Sequence, residues 1–181
     1  MQCFLRILSR PRRCKPGSDY DEVHIRSGLG GRDWKLTRTV SILMGSESDR
    51  EIAKKAETVL EKLSIPFETK VISAHRSHKE LDRYIEDSKS DVFIAIAGLA
   101  AHLPGFVSSL TTKPVIGVPV SGKLAGLESV LSMVQMPSGV PVGTVGVDNG
   151  TNAALLAAAI LAVSDPAISK RLLEYRSSGA K

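Results

Sequence analysis

The stretch Val92-Phe93-Ile94-Ala95-Ile96-Ala97 decides the fold of this chain. Every residue in it is apolar, so no polar face alternates with an apolar one. A strand of this kind is buried on both faces, as in the interior of a parallel sheet that helices cover on each side. The stretch therefore predicts a central β-strand in an α/β fold.

Strand and helix patterns alternate on both sides of this stretch. Further strands are predicted over residues 39–44, 67–72, 115–118 and 142–145. Helical patterns are predicted over residues 48–63, from residue 77 through residue 85, over 127–134, 152–163 and 165–175, and a short one follows residue 105 and reaches about residue 110. Short loops and right-handed crossovers then predict one parallel sheet with helices on both faces. The Ala-rich helix over residues 152–163 has an apolar outer side, for which we expect subunit packing.

Sequence signals mark several helix starts. Ser48 or Asp49 is expected to cap the first helix. The pattern Ser77-x-x-Glu80 predicts a capping box at the second helix. Asp165-Pro166 predicts the start of the last helix.

Charge divides the chain into two parts. Residues 1–38 hold nine Lys or Arg and four Asp or Glu, whereas residues 39–181 hold fifteen of each. We therefore expect a basic N-terminal extension over residues 1–38, mobile and faintly similar to a transit peptide at its start. Residues 39–181 form a single α/β domain without net charge, which gives no electrostatic case for nucleic-acid binding.

Composition narrows the class of protein further. The 43% hydrophobic and 24% charged residues are typical of a globular protein, and no apolar run reaches the roughly 18 residues of a membrane span. Both cysteines, Cys3 and Cys14, lie in the extension, so the domain offers no disulfide. This is compatible with a reducing compartment, and we expect a cytoplasmic protein.

The loop Gly45-Ser46-Glu47-Ser48-Asp49 follows the first predicted strand. Glycine and hydroxyl groups ahead of a helix N-terminus can hold a phosphate through backbone N–H groups and the helix dipole. An ordinary capped turn is the alternative. The Asp49 carboxylate would repel a phosphate, so we expect it to accept hydrogen bonds from ribose hydroxyls or to cap the helix.

The loop Ser73-Ala74-His75-Arg76 follows the second predicted strand. In parallel sheets, ligands bind beyond the carboxyl ends of the strands. An imidazole beside a fixed cation suits proton transfer on an anionic substrate, with His75 as the acid and base. The alternative is that both side chains only stabilise the loop.

A third loop, residues 98–105, follows the central strand. Its small residues let the backbone approach a ligand closely, and Pro104-Gly105 is expected to stiffen a turn. The members expected to line a binding site are Gly98, Ala100, Ala101, His102 and Leu103. His102 has a structural alternative as a hydrogen-bonding group within a tightly packed loop.

Other chemistries lack their sequence patterns. The chain has four His, no His-x-x-x-His and no Cys-x-x-Cys, so no metal site is expected. It also lacks the Gly-x-Gly-x-x-Gly, P-loop and Gly-x-Ser-x-Gly patterns of dinucleotide, nucleotide and hydrolase sites. No cofactor is expected.

Several motifs together carry a family resemblance. They are Met44-Gly45-Ser46-Glu47-Ser48-Asp49, Ser73-Ala74-His75-Arg76, Ala100-Ala101-His102-Leu103-Pro104-Gly105, Gly117-Val118-Pro119-Val120, residues 132–143 and residues 152–157. In unbroken order from about residue 39 to residue 176, they resemble class I N5-carboxyaminoimidazole ribonucleotide mutases. The resemblance implies a flavodoxin-like three-layer α/β/α sandwich, a homo-octamer, a ribonucleotide substrate and no metal or organic cofactor.

The resemblance also implies a reaction and residue roles. Family members move a carboxylate from the exocyclic nitrogen to carbon 4 of an imidazole in purine biosynthesis. Ser46, Asp49 and Arg76 match residues that bind the ribonucleotide, and His75 matches the acid and base. The full set expected at the substrate comprises Gly45, Ser46, Ser48, Asp49, Ser73, Ala74, Arg76, Gly98, Ala100, Ala101, His102 and Leu103, with residues 98–105 as the candidate carbon dioxide cage.

Some positions depart from the family, and two other functions stay open. Arg50 replaces a common Trp, and the loop over residues 146–151 is about two residues short. One alternative is the class II relative, which carboxylates the aminoimidazole directly with carbon dioxide. Arg76 and His102 favour the mutase over it. The other alternative is a non-catalytic nucleotide or flavin binder, although aromatic residues for stacking make up only 4% of the chain.

Overall fold

The computed structural model of the protein describes residues 38–179. The extension predicted over residues 1–38, with its expected mobility, lies outside the described residues except for Arg38. Strands are β1 (Val40–Met44), β2 (Phe67–Val71), β3 (Val92–Ala97), β4 (Val115–Pro119) and β5 (Gly143–Thr144). They form one parallel sheet in the order β2-β1-β3-β4-β5, which is the flavodoxin-like order.

Helices alternate with these strands as predicted. They are α1 (Arg50–Lys62), α2 (His78–Asp87), α3 (His102–Leu110), α4 (Leu127–Val134), α5 (Gly150–Ala162) and α6 (Pro166–Ser177), and a 3-10 turn over Glu47–Asp49 precedes α1. Within residues 38–179, every helix is too short or too polar to cross a bilayer.

Two apolar cores, one on each face of the sheet, make the three-layer sandwich. Alternate residues of β3 enter different cores: Ile94 packs with α1, α5 and α6, and Phe93 packs with α2, α3 and α4. All six residues of β3 are buried, which confirms the central position predicted for Val92–Ala97. The α/β/α prediction is likewise confirmed.

Two predicted helix starts differ from the structure in their capping. Ser77 precedes α2 without a capping bond from its side chain, and Asp49 precedes α1 in the same way. The Ser46 hydroxyl instead accepts the backbone N–H of Ser48 and caps the 3-10 turn. At α6 the prediction is confirmed, because the Asp165 carboxylate accepts the N–H groups of Ala167 and Ile168.

The predicted loop over residues 98–105 is shorter than expected. His102 begins α3, and Pro104 and Gly105 lie in its first turn rather than in a stiff turn. Proline fits there because the first N–H groups of a helix have no partner within it. The loop proper is therefore residues 98–101.

The outer side of α5 is less exposed than its sequence indicated. The helix packs against α1 and α6, and its Ala-rich faces are buried by this same chain. Leu156 and Val163 are the large apolar side chains of this region that remain exposed. An apolar stripe that faces solvent lies instead on α4.

Candidate active site

A cavity of about 600 Å³ opens at the carboxyl edge of the sheet. The loops after β1, β2, β3 and β4 line it, and β1 and β3 are the neighbouring strands where the strand order reverses. Such a switch point places two loops on opposite sides of a crevice, which is where open α/β sheets bind ligands. The lining residues are Gly45, Ser46, Ser48, Asp49, Ser73, Ala74, His75, Arg76, Ala97, Gly98, Leu99, Ala101, His102, Leu103, Val120 and Ser121.

Two imidazole rings meet in this cavity. His75 Nε2 lies 2.8 Å from His102 Nδ1, and the rings are edge to face with centroids 5.0 Å apart. His75 comes from the β2 loop and His102 from the first residue of α3. A hydrogen bond between two imidazole nitrogens needs one N–H between them, so the pair can pass a proton along it.

Arg76 connects two of the lining loops. Its Nη2 donates to the carbonyl oxygen of Gly45 at 3.0 Å, and its backbone N–H donates to the Ser73 hydroxyl at 3.3 Å. Among residues 38–179 its guanidinium forms no salt bridge. The cation is thus held at the mouth of the cavity with donors left for an anionic group.

Asp49 is a nearly buried carboxylate in the wall of the cavity, with 8% of its surface exposed. The Ser48 hydroxyl donates to its Oδ1 at 3.1 Å. Burial raises the pKa of the Asp49 carboxyl, the bond from Ser48 opposes this, and the negative charge of Asp148 adds to the rise. Because Asp49 makes no capping bond, its oxygens can accept hydrogen bonds from a ligand.

The loop after β3 is tight and strained. Leu99 and Ala101 have φ values of 53° and 30°, in the left-handed region that non-glycine residues rarely adopt. The Ala101 N–H closes the turn on the Gly98 carbonyl at 2.9 Å. A Cβ on Gly98 would lie 3.2 Å from the Val120 Cβ, so the β3 and β4 loops touch at this point. Strain of this kind is concentrated at functional sites.

Almost all of the predicted site residues meet around the one cavity. Ala100 is the exception, because it is exposed on the turn and does not line the cavity. A four-residue loop cannot direct all of its members inwards. The roles assigned to the other residues stay predictions.

Sequence reasoning missed three residues that line the cavity, Ala97, Val120 and Ser121. It included Leu99 only as part of the loop over residues 98–105. Val120 and Ser121 follow β4 directly, so their position beyond the carboxyl end of a strand was the available signal. Leu99 lies within the predicted loop but resembles an ordinary core residue in sequence. Only the backbone geometry places it at the cavity.

The described residues bring together no group of three or more His, Cys, Asp or Glu side chains arranged to hold a metal ion. The cavity instead combines an imidazole pair, a cation and a carboxylate. Such a set can bind a phosphorylated sugar and move a proton on the attached base.

The family model for AIR carboxylase matches residues 39–181. This chain belongs to the AIR carboxylase family. A Methanocaldococcus jannaschii member named N5-carboxyaminoimidazole ribonucleotide mutase is 58% identical over 142 residues, which cover 78% of this chain and 90% of that protein. A mutase of the same name from Pyrococcus horikoshii is 50% identical, over 75% of this chain and 79% of that protein.

Solved structures of the AIR carboxylase family share the fold. The crystal structure of Treponema denticola PurE aligns with a TM-score of 0.73 at 32% identity, covering 79% of this chain and 92% of that one. A second crystal structure, of a single-residue variant of Treponema denticola PurE2, aligns with a TM-score of 0.74 at 31% identity, covering 80% and 92%. The flavodoxin-like sandwich is therefore the architecture of this family.

Proposed function

We propose that this chain interconverts N5-carboxyaminoimidazole ribonucleotide and 4-carboxy-5-aminoimidazole ribonucleotide, as an isomerase of purine biosynthesis. The observation that carries the proposal is the hydrogen-bonded pair of His75 and His102, at 2.8 Å, in a cavity shared with Arg76 and Asp49. The mutase names of relatives up to 58% identical support it.

The reaction needs one proton to leave the ring carbon and one to reach the exocyclic nitrogen. The bond between that nitrogen and the carboxylate breaks, carbon dioxide is released into the cavity, and the nitrogen takes a proton from His75. Carbon 4 then forms a bond to the carbon dioxide and returns its proton to His75. The sum is an isomerisation that requires no other reactant.

His102 supports this proton transfer through its contact with His75. The hydrogen bond orients the His75 ring, and the pair can share the proton between the two steps. The strained loop over residues 98–101 contributes Gly98, Leu99 and Ala101 to the same cavity as the pair, and it is our candidate for the wall that retains carbon dioxide. Retention replaces a new encounter with a step inside one site.

The substrate's ribose phosphate is assigned to the β1 and β2 loops. We assign the phosphate to Arg76 and the Ser46 and Ser48 hydroxyls, and the ribose hydroxyls to Asp49. A Cβ on Gly45 would meet no protein atom within 4 Å, so the backbone there leaves space beside the cavity. Gly45, Ser73 and Ala74 complete this part of the site by close approach of their backbone.

Direct carboxylation is the alternative within the family. The mutase names of the curated relatives support isomerisation over it. Two assays in ultraviolet absorbance separate the reactions: one supplies the carboxylated carbamate, and the other supplies aminoimidazole ribonucleotide with bicarbonate. We expect fast turnover of the carbamate. Fast turnover in the assay with aminoimidazole ribonucleotide and bicarbonate, without turnover of the carbamate, would contradict the proposal.

The homo-octamer implied by the family resemblance is also part of the proposal. A stripe of apolar side chains on α4, formed by Leu127, Leu131 and Val134 with the preceding Leu124, faces solvent in the single chain. Their i, i+4, i+7 spacing is that of a helix face that packs on another surface.

A cytoplasmic location stays a prediction, which cell fractionation with antibody detection would test.

A further inference from the structure

Ser121 is a wall residue of the cavity whose backbone is held by a distant part of the chain. It follows β4, and its N–H donates to the Asp148 carboxylate at 2.9 Å. Asp148 lies in the loop after β5, ahead of α5. One carboxylate thus joins the loops that follow two neighbouring strands.

Asp148 is itself held from two sides. Its own N–H donates to the carbonyl oxygen of Pro119 at 2.8 Å, and Lys55 Nζ on α1 donates to its carbonyl oxygen at 3.3 Å. Its φ of 55° lies in the left-handed region, where Asp, Asn and Gly are tolerated best. The carboxylate is therefore fixed relative to β4 and α1.

The two loops also pack directly on each other. A Cβ on Gly126 would lie 2.8 Å from Val147 Cγ1 and 3.4 Å from the Ser121 Cα, so no side chain fits between them there. The Asp148 charge also reaches the substrate-facing Asp49 and contributes to the rise of its pKa. Asp148 lies behind the cavity and does not line it.

We propose that Asp148 is a positioning residue for the reaction, whose carboxylate holds the Ser121 backbone and so fixes the Val120-Ser121 wall against the bound ribonucleotide. The proposal rests on the proposed function, because it assumes that this cavity binds the ribonucleotide.

Two variants at this position separate the hydrogen bond from the backbone shape. Asp148→Gly keeps the left-handed conformation and removes the acceptor, whereas Asp148→Asn keeps both the conformation and an oxygen acceptor. Asp165→Ala is the matched control. It also removes a carboxylate that accepts backbone N–H groups. Asp165, however, lies at the opposite edge of the sheet from the cavity, because the neighbouring Ser164 is in contact with Arg38 at the start of β1.

We expect kcat/KM to fall about tenfold in Asp148→Gly, the effect of losing about one hydrogen bond, and to return to within about threefold of wild type in Asp148→Asn. Asp165→Ala should lower the melting temperature and leave kcat/KM unchanged. All assays run well below the lowest melting temperature. Wild-type kcat/KM in Asp148→Gly, or equal losses in the Gly and Asn variants, would overturn the proposal.

Binding separates this proposal from the proposed function. In calorimetry with aminoimidazole ribonucleotide, we expect the affinities to follow the same order as the kcat/KM values. Wild type and Asp148→Asn should bind the ribonucleotide about tenfold more tightly than Asp148→Gly does. Absence of mutase turnover in the wild-type protein would refute the function alone, and the calorimetric order would still decide the role of Asp148. Equal affinities in all three proteins would refute the positioning role.

Discussion

At the scale of single residues, the proposed proton transfer depends on the hydrogen bond between the His75 and His102 rings. The rings come from different elements, and their nitrogens lie 2.8 Å apart. A sequence does show both imidazoles after predicted strands, and it therefore predicts their approach to one edge of the sheet. It does not show that they touch, because their contact depends on the turn that begins α3 at His102.

His75→Asn tests the acid and base role. Asparagine keeps a similar size and one hydrogen bond but cannot titrate, so we expect ligand binding to persist while kcat falls by about 10²- to 10⁴-fold. Ultraviolet turnover assays and calorimetry measure the two properties separately. The control is His78→Asn, since His78 is exposed on α2 and does not line the cavity. A wild-type rate in His75→Asn would favour the non-catalytic binder.

Asp49→Asn tests the ligand-binding role proposed for the buried Asp49 carboxylate. Burial raises its pKa, so between the unfolded and folded pKa values the folded state binds more protons, and stability falls as pH rises through this window. Asp49→Asn removes the buried charge, and we expect a higher melting temperature than wild type at pH 7. We also expect KM to rise about tenfold or more, because a charged acceptor for the ribose is lost.

Thermal denaturation across pH measures this effect and contains its own control. Below the ordinary aspartate pKa of about 4, the wild-type carboxyl is protonated in both states, and the advantage of Asp49→Asn should vanish. An advantage that is equal at pH 3 and pH 7 would mean that charge burial is not its cause.

At the scale of elements, the hydrophobic pattern predicted the bounds of strands and helices better than loop residues predicted the capping of helices. Val92–Ala97 is a strand with the predicted bounds, and Leu127–Val134 is a helix with the predicted bounds, because burial on one or both faces leaves a regular pattern. The capping box predicted at Ser77 is absent, because the Ser77 side chain makes no capping hydrogen bond. Strand β5 is only two residues long, since pairing with β4 ends at Thr144.

The residues that line the cavity could also be predicted only in part from the sequence. Residues with a strong chemical signature, such as His75 and Arg76, were predicted from the sequence. Ser121 was missed, and Leu99 was not singled out within its loop, because the fold rather than their side-chain chemistry places them in the wall. The role of Asp148 depends on a hydrogen bond between residues 27 positions apart, which no local pattern records.

Gly150 tests the packing of α5 on α1. A Cβ at this position would collide with the carbonyl oxygen of Ile52 and lie 3.3 Å from the backbone nitrogen of Ala56. Backbone cannot move aside as a side chain end can, so we expect Gly150→Ala to lower the free energy of unfolding by about 1–3 kcal/mol in urea denaturation. Gly143→Ala is the matched control, because its Cβ would meet only the Val115 carbonyl oxygen, at 3.7 Å. Equal stability of the two variants would contradict this account.

At the scale of the whole molecule, the mechanism assigns every step to the protein and its substrate. In that mechanism, carbon dioxide would be generated and consumed within the site, and the imidazole pair would carry the proton. We therefore expect dialysis against EDTA to leave kcat and KM of the mutase reaction unchanged. Loss of activity that added divalent metal restores would contradict the prediction that no metal takes part.

Assembly is the remaining property at this scale. The apolar stripe on α4 includes Leu131, which is 43% exposed, and Leu127, which is 56% exposed, next to loops that line the cavity. An apolar stripe in contact with water does not stabilise a single chain, whereas a second copy packed on it would remove its apolar surface from water. We expect the wild-type protein to be an octamer by light scattering after size exclusion.

Leu131→Glu places a charge in the centre of the stripe and should shift the protein to smaller species, since an unpaired charge in an apolar interface is strongly unfavourable. Leu173→Glu on α6 is the matched control, because Leu173 is 70% exposed and lies outside the stripe. We expect the control to retain the wild-type mass. If Leu131→Glu also retained it, the subunits would have to associate through another surface, and the stripe would need a different explanation.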